Sequence, residues 1–189
     1  MLITLSGLSG SGKSSTAKAV SEALGIPTVD VGGIFRAKAA EHGMDVMAFG
    51  RYVAEHPEID RELDDEMIEE ARRQPDLILQ ARLAGWMTYK REVPAMRIWL
   101  ETSEEERARR VSGREGISPE QALADLRLRD SRDRERYLGL YGLDVNDISV
   151  YDVVIRTDNL GLAEVTSAVI NSINAYGRRN AEQSAGSSS

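Results

Sequence analysis

Short apolar runs alternate along this chain with segments whose apolar residues recur every three or four positions. Such alternation predicts an α/β fold with a mostly parallel sheet. The run Leu2-Ile3-Thr4-Leu5-Ser6 reads as the first strand, and 13–24 as a helix with Ala17, Val20, Ala23 and Leu24 on one face. Strands are expected at 27–31, 76–81, 95–100 and 151–157. A helix follows from about Ile34 to Glu41, and a polar helical region covers 45–74, broken near His56-Pro57 because proline disfavours helix in the residue before it. Further helices are expected at about 103–113, 118–137 and 161–177, and the tail from 178, RRNAEQSAGSSS, reads as disordered. There is no internal repeat.

Length and composition then narrow the class. At 189 residues, with 41% hydrophobic and 29% charged residues, the chain fits one folded domain, expected to span 1–177. No stretch is apolar enough for a membrane span, no signal peptide is evident, and a cytoplasmic protein without membrane contacts is expected. With no Cys and only two His, disulfides, thiolate metal sites and cysteine nucleophiles are excluded. The net charge of −7 argues against a general nucleic-acid binder. The charges are unevenly placed. Residues 55–70 carry nine acids against one Arg, most simply a solvated helical face, whereas 127–136 (RLRDSRDRER) carry five Arg. Only four basic residues are Lys. Arginine is the planar, bidentate partner of phosphate, although a GC-rich genome would give the same bias.

The sharpest signal is Gly7-Leu8-Ser9-Gly10-Ser11-Gly12-Lys13-Ser14, a complete G-x-x-x-x-G-K-S between an apolar strand and a helix. Glycines let the backbone curl so that successive N–H groups face a β-phosphate, and the following helix adds its dipole. Gly7, Gly10, Ser11, Gly12, Lys13, Ser14 and Ser15 are therefore expected to bind ATP phosphates, with Lys13 reaching the β- and γ-phosphates and the Ser14 hydroxyl ligating Mg²⁺. Asp30-Val31-Gly32-Gly33 fits D-x-x-G, but no N-K-x-D follows to read guanine, and no strand ends in the paired acids of a motor ATPase. A small P-loop domain lacking these parts is usually a kinase of small molecules.

Three clusters sit where an acceptor would bind: Asp30 to Arg36 after the second strand, Gln80 to Met87 after the third, and the arginines from Arg107 to Arg136. Ligands of open α/β sheets bind outside the carboxyl ends of the strands, so Arg36, on the first turn of its helix, and Arg82 are expected to converge on one pocket beside the P-loop. Two arginines there suit an acceptor that already carries a phosphate. Trp86 and Met87 read as packing residues.

At these residues the chain resembles the cytidylate kinases of the nucleoside-monophosphate kinase group, most closely the short archaeal type. The matching parts are the P-loop, GIFR at 33–36, EHPEID at 55–60, RLAGWM at 82–87, REG at 114–116, and the run from Arg132 to Ile155. The resemblance implies a P-loop three-layer α/β/α fold with a five-stranded parallel sheet, an NMP-binding arm at about 34–74 and a lid at about 107–137. It implies transfer of a phosphoryl group from ATP to CMP or dCMP with Mg²⁺ by a monomer. It also implies roles: Arg36 and Arg82 clamp the acceptor phosphate, beside Asp30 and Gly33. Arg129 and Asp133 face CMP, Arg132 and Arg136 neutralise phosphates in transfer, and Arg110 and Arg114 contact adenine or the lid.

Two positions depart from the family pattern. Gln80-Ala81 stands where relatives carry an acid and a glycine, the acid normally orienting water on Mg²⁺, and Val31 stands at or next to a position where relatives carry a small hydroxyl residue near the base. Two other readings remain open on the sequence. One is a kinase of a hydroxyl acceptor with Asp30 as general base. The other is a nucleotide-binding protein with little catalysis, motivated by Gln80.

Overall fold

The computed structural model describes residues 1–186. Five parallel strands, β1 (Leu2–Ser6), β2 (Thr28–Asp30), β3 (Leu77–Gln80), β4 (Met96–Glu101) and β5 (Val153–Arg156), form one sheet in the order β2-β3-β1-β4-β5. The register sets Thr4 beside Leu79 on one side and Arg97 on the other. β1 is central, and the strand order reverses across it. Its carboxyl end is therefore the crevice where such sheets hold ligands, and the glycine-rich loop leaves from that point.

Alternation along β1 decides the layers. Ile3 and Leu5 join Ala17 and Val20 of α1 (Lys13–Leu24) and Val165, Val169 and Ile173 of α8 (Leu162–Gly186). Leu2 faces the other way, onto Met67, Ile68 and Ala71 of α4 (Pro57–Arg73) and Leu83, Ala84 and Met87 at and within α5 (Ala84–Lys90). Each such Leu or Ile contributes roughly 1.5–3 kcal/mol through burial. The three-layer expectation holds.

Several boundaries differ from the sequence reading. β2 and β5 are shorter than 27–31 and 151–157, because flanking residues enter turns and a helix. α2 (Val31–Glu41) starts three residues early: Asp30 caps it by accepting from Gly33 N at 2.9 Å, so both glycines join its first turn and Arg36 moves to the second. α5 was not anticipated. Its seven residues are too short for a clear helical period, and it is fixed by Gly85 N donating to the buried Ser6 hydroxyl. The final helix runs to Gly186, correcting the expected disorder from 178, since Arg, Ala, Glu and Gln there are good helix formers. Residues 187–189 lie outside the described residues.

Two helical units stand over the sheet's carboxyl edge. α2, α3 (Val46–Glu55) and α4 share a small core of Ala39, Phe49 and Val53, with Phe35 and Tyr52 packed against it. The arm expected at 34–74 falls on this unit. α6 (Glu104–Glu115) and α7 (Pro119–Tyr141) form an antiparallel hairpin closed by Ala108, Val111, Ala122 and Leu126, and the expected lid falls there. Ser103 and Ser118 cap the two helices, and Gly116 ends the first in the left-handed region at φ 70°.

Candidate active site

The loop between β1 and α1 has the backbone its sequence demands. Gly10 and Gly12 lie at φ 82° and 93°, where a side chain would be strained. A Cβ on Gly7 would also fall 2.7 Å from the Leu100 carbonyl oxygen. The first turn of α1 then presents amide groups that have no partner within the helix, together with Ser14 and Ser15, both exposed. Lys13 Nζ donates to Leu8 O at 2.9 Å, folding back over its own loop. Burial of the ammonium, and then the neighbouring Arg82 and Arg129, lower its pKa to about 7. The loop is a cradle suited to an anion.

Behind Ser14 stands Gln80, at the end of β3 and only 4% exposed. Its Nε2 donates to Ser14 Oγ at 3.2 Å, while its Oε1 is buried without a hydrogen-bond partner. An orphaned oxygen beside a serine hydroxyl at a phosphate loop fits a hydrated divalent cation, with Ser14 as the protein ligand.

Arg82 joins the loop to a cavity of about 420 Å³ beneath the arm. Its Nη2 donates to Ser9 Oγ at 2.7 Å, and its Nη1 pairs with Asp133 at 2.7 Å and Asp130 at 3.2 Å. Asp130 is also held by Arg107 at 2.7 Å, and that Arg107 nitrogen donates to Ser9 O at 3.1 Å. Asp133 binds Arg136 at 3.2 Å as well, and Arg136 lies over the rings of Phe35 and Tyr137. Arg129 and Arg132 complete the basic wall, and Arg132 makes no ion pair with any carboxylate among the described residues. The spacing 129, 130, 132, 133, 136 on α7 puts all of these on adjoining turns of one face, while Arg134 points outward to Asp144 at 2.6 Å. That run is thus a solvated pair on one side and a buried network on the other.

The expected site residues are only partly brought together. Arg82, Arg129, Arg132, Asp133 and Arg136 line the cavity, whereas Arg36 does not. It is half exposed, paired with Asp30 at 3.1 Å, above Gly32 at the rim. The expected convergence of Arg36 and Arg82 is therefore corrected, because the early start of α2 turns Arg36 back onto its own N-cap. Gly33 admits that cap: a Cβ there would lie 2.8 Å from Asp30 Oδ2. Both Asp30 oxygens are thereby engaged, which disfavours Asp30 as a general base. Arg110 reaches the loop by donating to Ser11 O at 3.1 Å and to Thr157 O at 2.7 Å. Arg114 instead pairs with Glu115 on the exposed end of α6.

Sequence reasoning missed Asp130, Asp60 and Asp64, and gave Arg107 no role of its own within the arginine cluster. The acidic stretch 55–70 is not wholly a solvated face. Asp60 is 5% exposed and, with Asp64, lines the cavity. The signal was present: Asp60, Leu63, Met67 and Ala71 are spaced as one apolar stripe, with an acid in its first position. Burial raises the Asp60 pKa, and burial with the nearby Asp60 charge raises Asp64 to about 6 despite the Tyr141 hydroxyl donating to it at 2.6 Å.

The geometry agrees with the chain's relatives. Residues 2–159 match the model of the cytidylate kinase-like family. The chain is 41% identical to a cytidylate kinase of Pyrococcus horikoshii over 94% of this chain and 92% of that one. It is 38% identical to a cytidylate kinase of Methanocaldococcus jannaschii over 92% and 99%. Among solved structures it resembles a shikimate kinase from Acinetobacter baumannii (TM-score 0.57, 20% identity, 92% and 93% covered) and a gluconokinase from Sinorhizobium meliloti (TM-score 0.57, 17% identity, 96% of both). These two likenesses show a shared P-loop α/β/α fold. The chain belongs to the cytidylate kinase-like family.

Proposed function

We propose that this member of the cytidylate kinase-like family transfers the γ-phosphoryl group of ATP to CMP or dCMP, giving ADP and the nucleoside diphosphate. The observation that carries the reading is the continuous path from the Lys13 loop through Arg82 into an arginine-walled cavity. A phosphate seated there would face the loop across Ser9. Hydroxyl acceptors need a base, and the cavity offers arginines instead, while Asp30 is occupied by its own helix and Arg36.

Little covalent chemistry is asked of the protein. Phosphoryl transfer proceeds through a loose transition state, so positioning and neutralisation dominate. The acceptor phosphate has a second pKa of about 6 and is largely anionic at neutral pH, so no general base is needed. Lys13, the loop amides and the first turn of α1 hold the ATP phosphates, and Arg110 fixes the loop's far side against Thr157. Arg82, Arg129 and Arg132 hold the acceptor phosphate, with Asp130 and Asp133 keeping the guanidinium planes aimed. Ser14, backed by Gln80, would hold a hydrated Mg²⁺, which would supply charge neutralisation to the transferring phosphates. Release of ADP should be measured across CMP, dCMP, UMP, AMP, shikimate and gluconate. CMP and dCMP are expected to dominate, and turnover with a hydroxyl acceptor alone would overturn the reading.

A further inference from the structure

Arg107 lies behind the phosphate loop, only 2% exposed, and does not line the acceptor cavity. Its helix α6 packs directly on the loop: a Cβ on Gly10 would fall 3.1 Å from Arg107 Cβ and 3.2 Å from Val111 Cγ2. From there one guanidinium nitrogen, Nη1, serves two partners. It donates to Ser9 O at 3.1 Å and to Asp130 Oδ2 at 2.7 Å. The other Asp130 oxygen accepts from Arg82 Nη1 at 3.2 Å, and Arg82 Nη2 donates to Ser9 Oγ at 2.7 Å. These bonds close a ring that leaves Ser9 by its carbonyl and returns to it by its hydroxyl. Stability alone gives no reason for a guanidinium here. Its Nε is buried without a partner, and a buried ion pair generally adds no more than apolar groups of the same size. What the ring supplies is geometry. It ties the loop shaped for the donor phosphates to the arginine that faces the acceptor.

We infer that Arg107 is a positioning residue for phosphoryl transfer, acting through Ser9 and Asp130 to hold the phosphate loop and Arg82 in one relative placement. Transfer needs the reacting atoms about 3–3.5 Å apart and in line, and a misplacement of about 1 Å can cost a hundredfold in rate. Without Arg107, Arg82 would still reach Ser9 Oγ, but the Ser9 carbonyl would lose its donor and Asp130 one of its two arginines. The loop and α7 could then shift against each other. The groups that bind the two substrates would remain. Lys13, Arg129 and Arg132 make no hydrogen bond or ion pair with Arg107 among the described residues. The loss therefore belongs to alignment, in kcat, and hardly to binding.

This inference rests on the monophosphate-kinase reading, and the test separates the two. Melting temperature, kcat and the KM values for ATP and CMP are measured for the wild type and four variants. These are Arg107→Met, Arg107→Lys, Asp130→Asn and the double variant Arg107→Met/Asp130→Asn. Arg107→Met is expected to lower kcat about a hundredfold while both KM values stay within about threefold. Arg107→Lys, which keeps a charge and a donor, should recover about tenfold of that loss. Because both positions act through one ring, the double variant should be little worse than the poorer single variant. Multiplied losses would overturn the relay through Asp130. A rise of about tenfold in either KM at unchanged kcat, or full kcat with only a lowered melting temperature, would overturn the positioning role. Where Arg107→Met fails to fold, Arg107→Lys and Asp130→Asn carry the test, and unchanged kcat in both overturns the inference. A wild type that phosphorylates no monophosphate would overturn the reading beneath it, and this role with it.

Discussion

The two ends of the site handle charge in opposite ways. At the P-loop, Lys13 and the amides of α1 have no anionic partner, and the lysine has lost part of its hold on its proton. In and behind the wall of the acceptor cavity, Arg82 pairs with Asp130 and Asp133, Arg107 with Asp130 and Arg136 with Asp133. The loop needs no acidic partners because, apart from Lys13, its donors are backbone groups fixed by glycine geometry. Guanidinium groups sit on long side chains, and unpaired burial of several together would be prohibitive. The aspartates hold them in place at the cost of competing with the incoming phosphate. One end is therefore organised by backbone, the other by a salt-bridge network.

The largest effect should come from removing the charge at the bare end. Lys13→Ala is expected to lower kcat by about a thousandfold or more, while its melting temperature stays equal or rises because a desolvated ammonium is gone. A lower melting temperature would mean the lysine is part of the scaffold. At the paired end, Arg82→Ala should raise the KM for the monophosphate ten- to a hundredfold and that for ATP far less, since a charge-assisted hydrogen bond contributes roughly 1.5–3 kcal/mol. Equal effects on both substrates would erase the distinction between the two ends.

Gln80 lies on the boundary between them. Gln80→Glu, tested with and without Ala81→Gly, should lower the Mg²⁺ concentration needed for half-maximal rate and raise kcat by about tenfold, equivalent to about 1.4 kcal/mol. An unchanged Mg²⁺ requirement in both variants would show that the missing acid does not limit the enzyme. Protonation offers a gentler probe. With its folded pKa lowered to about 7, Lys13 is expected to be mostly neutral at pH 8 in the free protein, and a bound triphosphate is expected to restore its proton. Calorimetry in buffers of different ionisation heat should report uptake approaching one proton per ATP at pH 8, absent in Lys13→Ala. The same shift has a stability sign. Between pH 7 and 10.5 the unfolded chain holds more protons at Lys13, so this group favours the native state increasingly as pH rises. The smallest effect belongs to Arg36→Ala, expected within about threefold on the monophosphate KM, because an exposed pair outside the cavity contributes little. A loss as large as that of Arg82→Ala would mean that Arg36 swings inward on binding.

The same contrast explains what was legible in the sequence. The P-loop is eight contiguous residues whose spacing alone dictates strand, turn and helix, and the sheet was readable from apolar runs at 2–6 and 95–100, observed as Leu2–Ser6 and Met96–Glu101. The acceptor end is drawn from α4, α5's approach and α7. Neither the pairing of Arg82 with Asp130, 48 positions apart, nor the meeting of Arg136 with Asp60 leaves a local trace. Arg36 was misplaced because the cap at Asp30, formed by a side chain, moved the helix start by three residues. Asp60 was hidden among eight other acids, although its place on the Leu63-Met67-Ala71 stripe marked it as inward-facing.

The central claim is that a phosphoryl group crosses from the loop end to the cavity end onto a phosphate already held there. It is tested most directly by incubating the protein with CMP, Mg²⁺ and ATP labelled in the γ-phosphoryl group, and locating the label in the separated products. The account predicts CDP labelled only at its β-phosphoryl group, formed in step with ADP. Label released solely as inorganic phosphate, with CMP recovered unchanged, would contradict it.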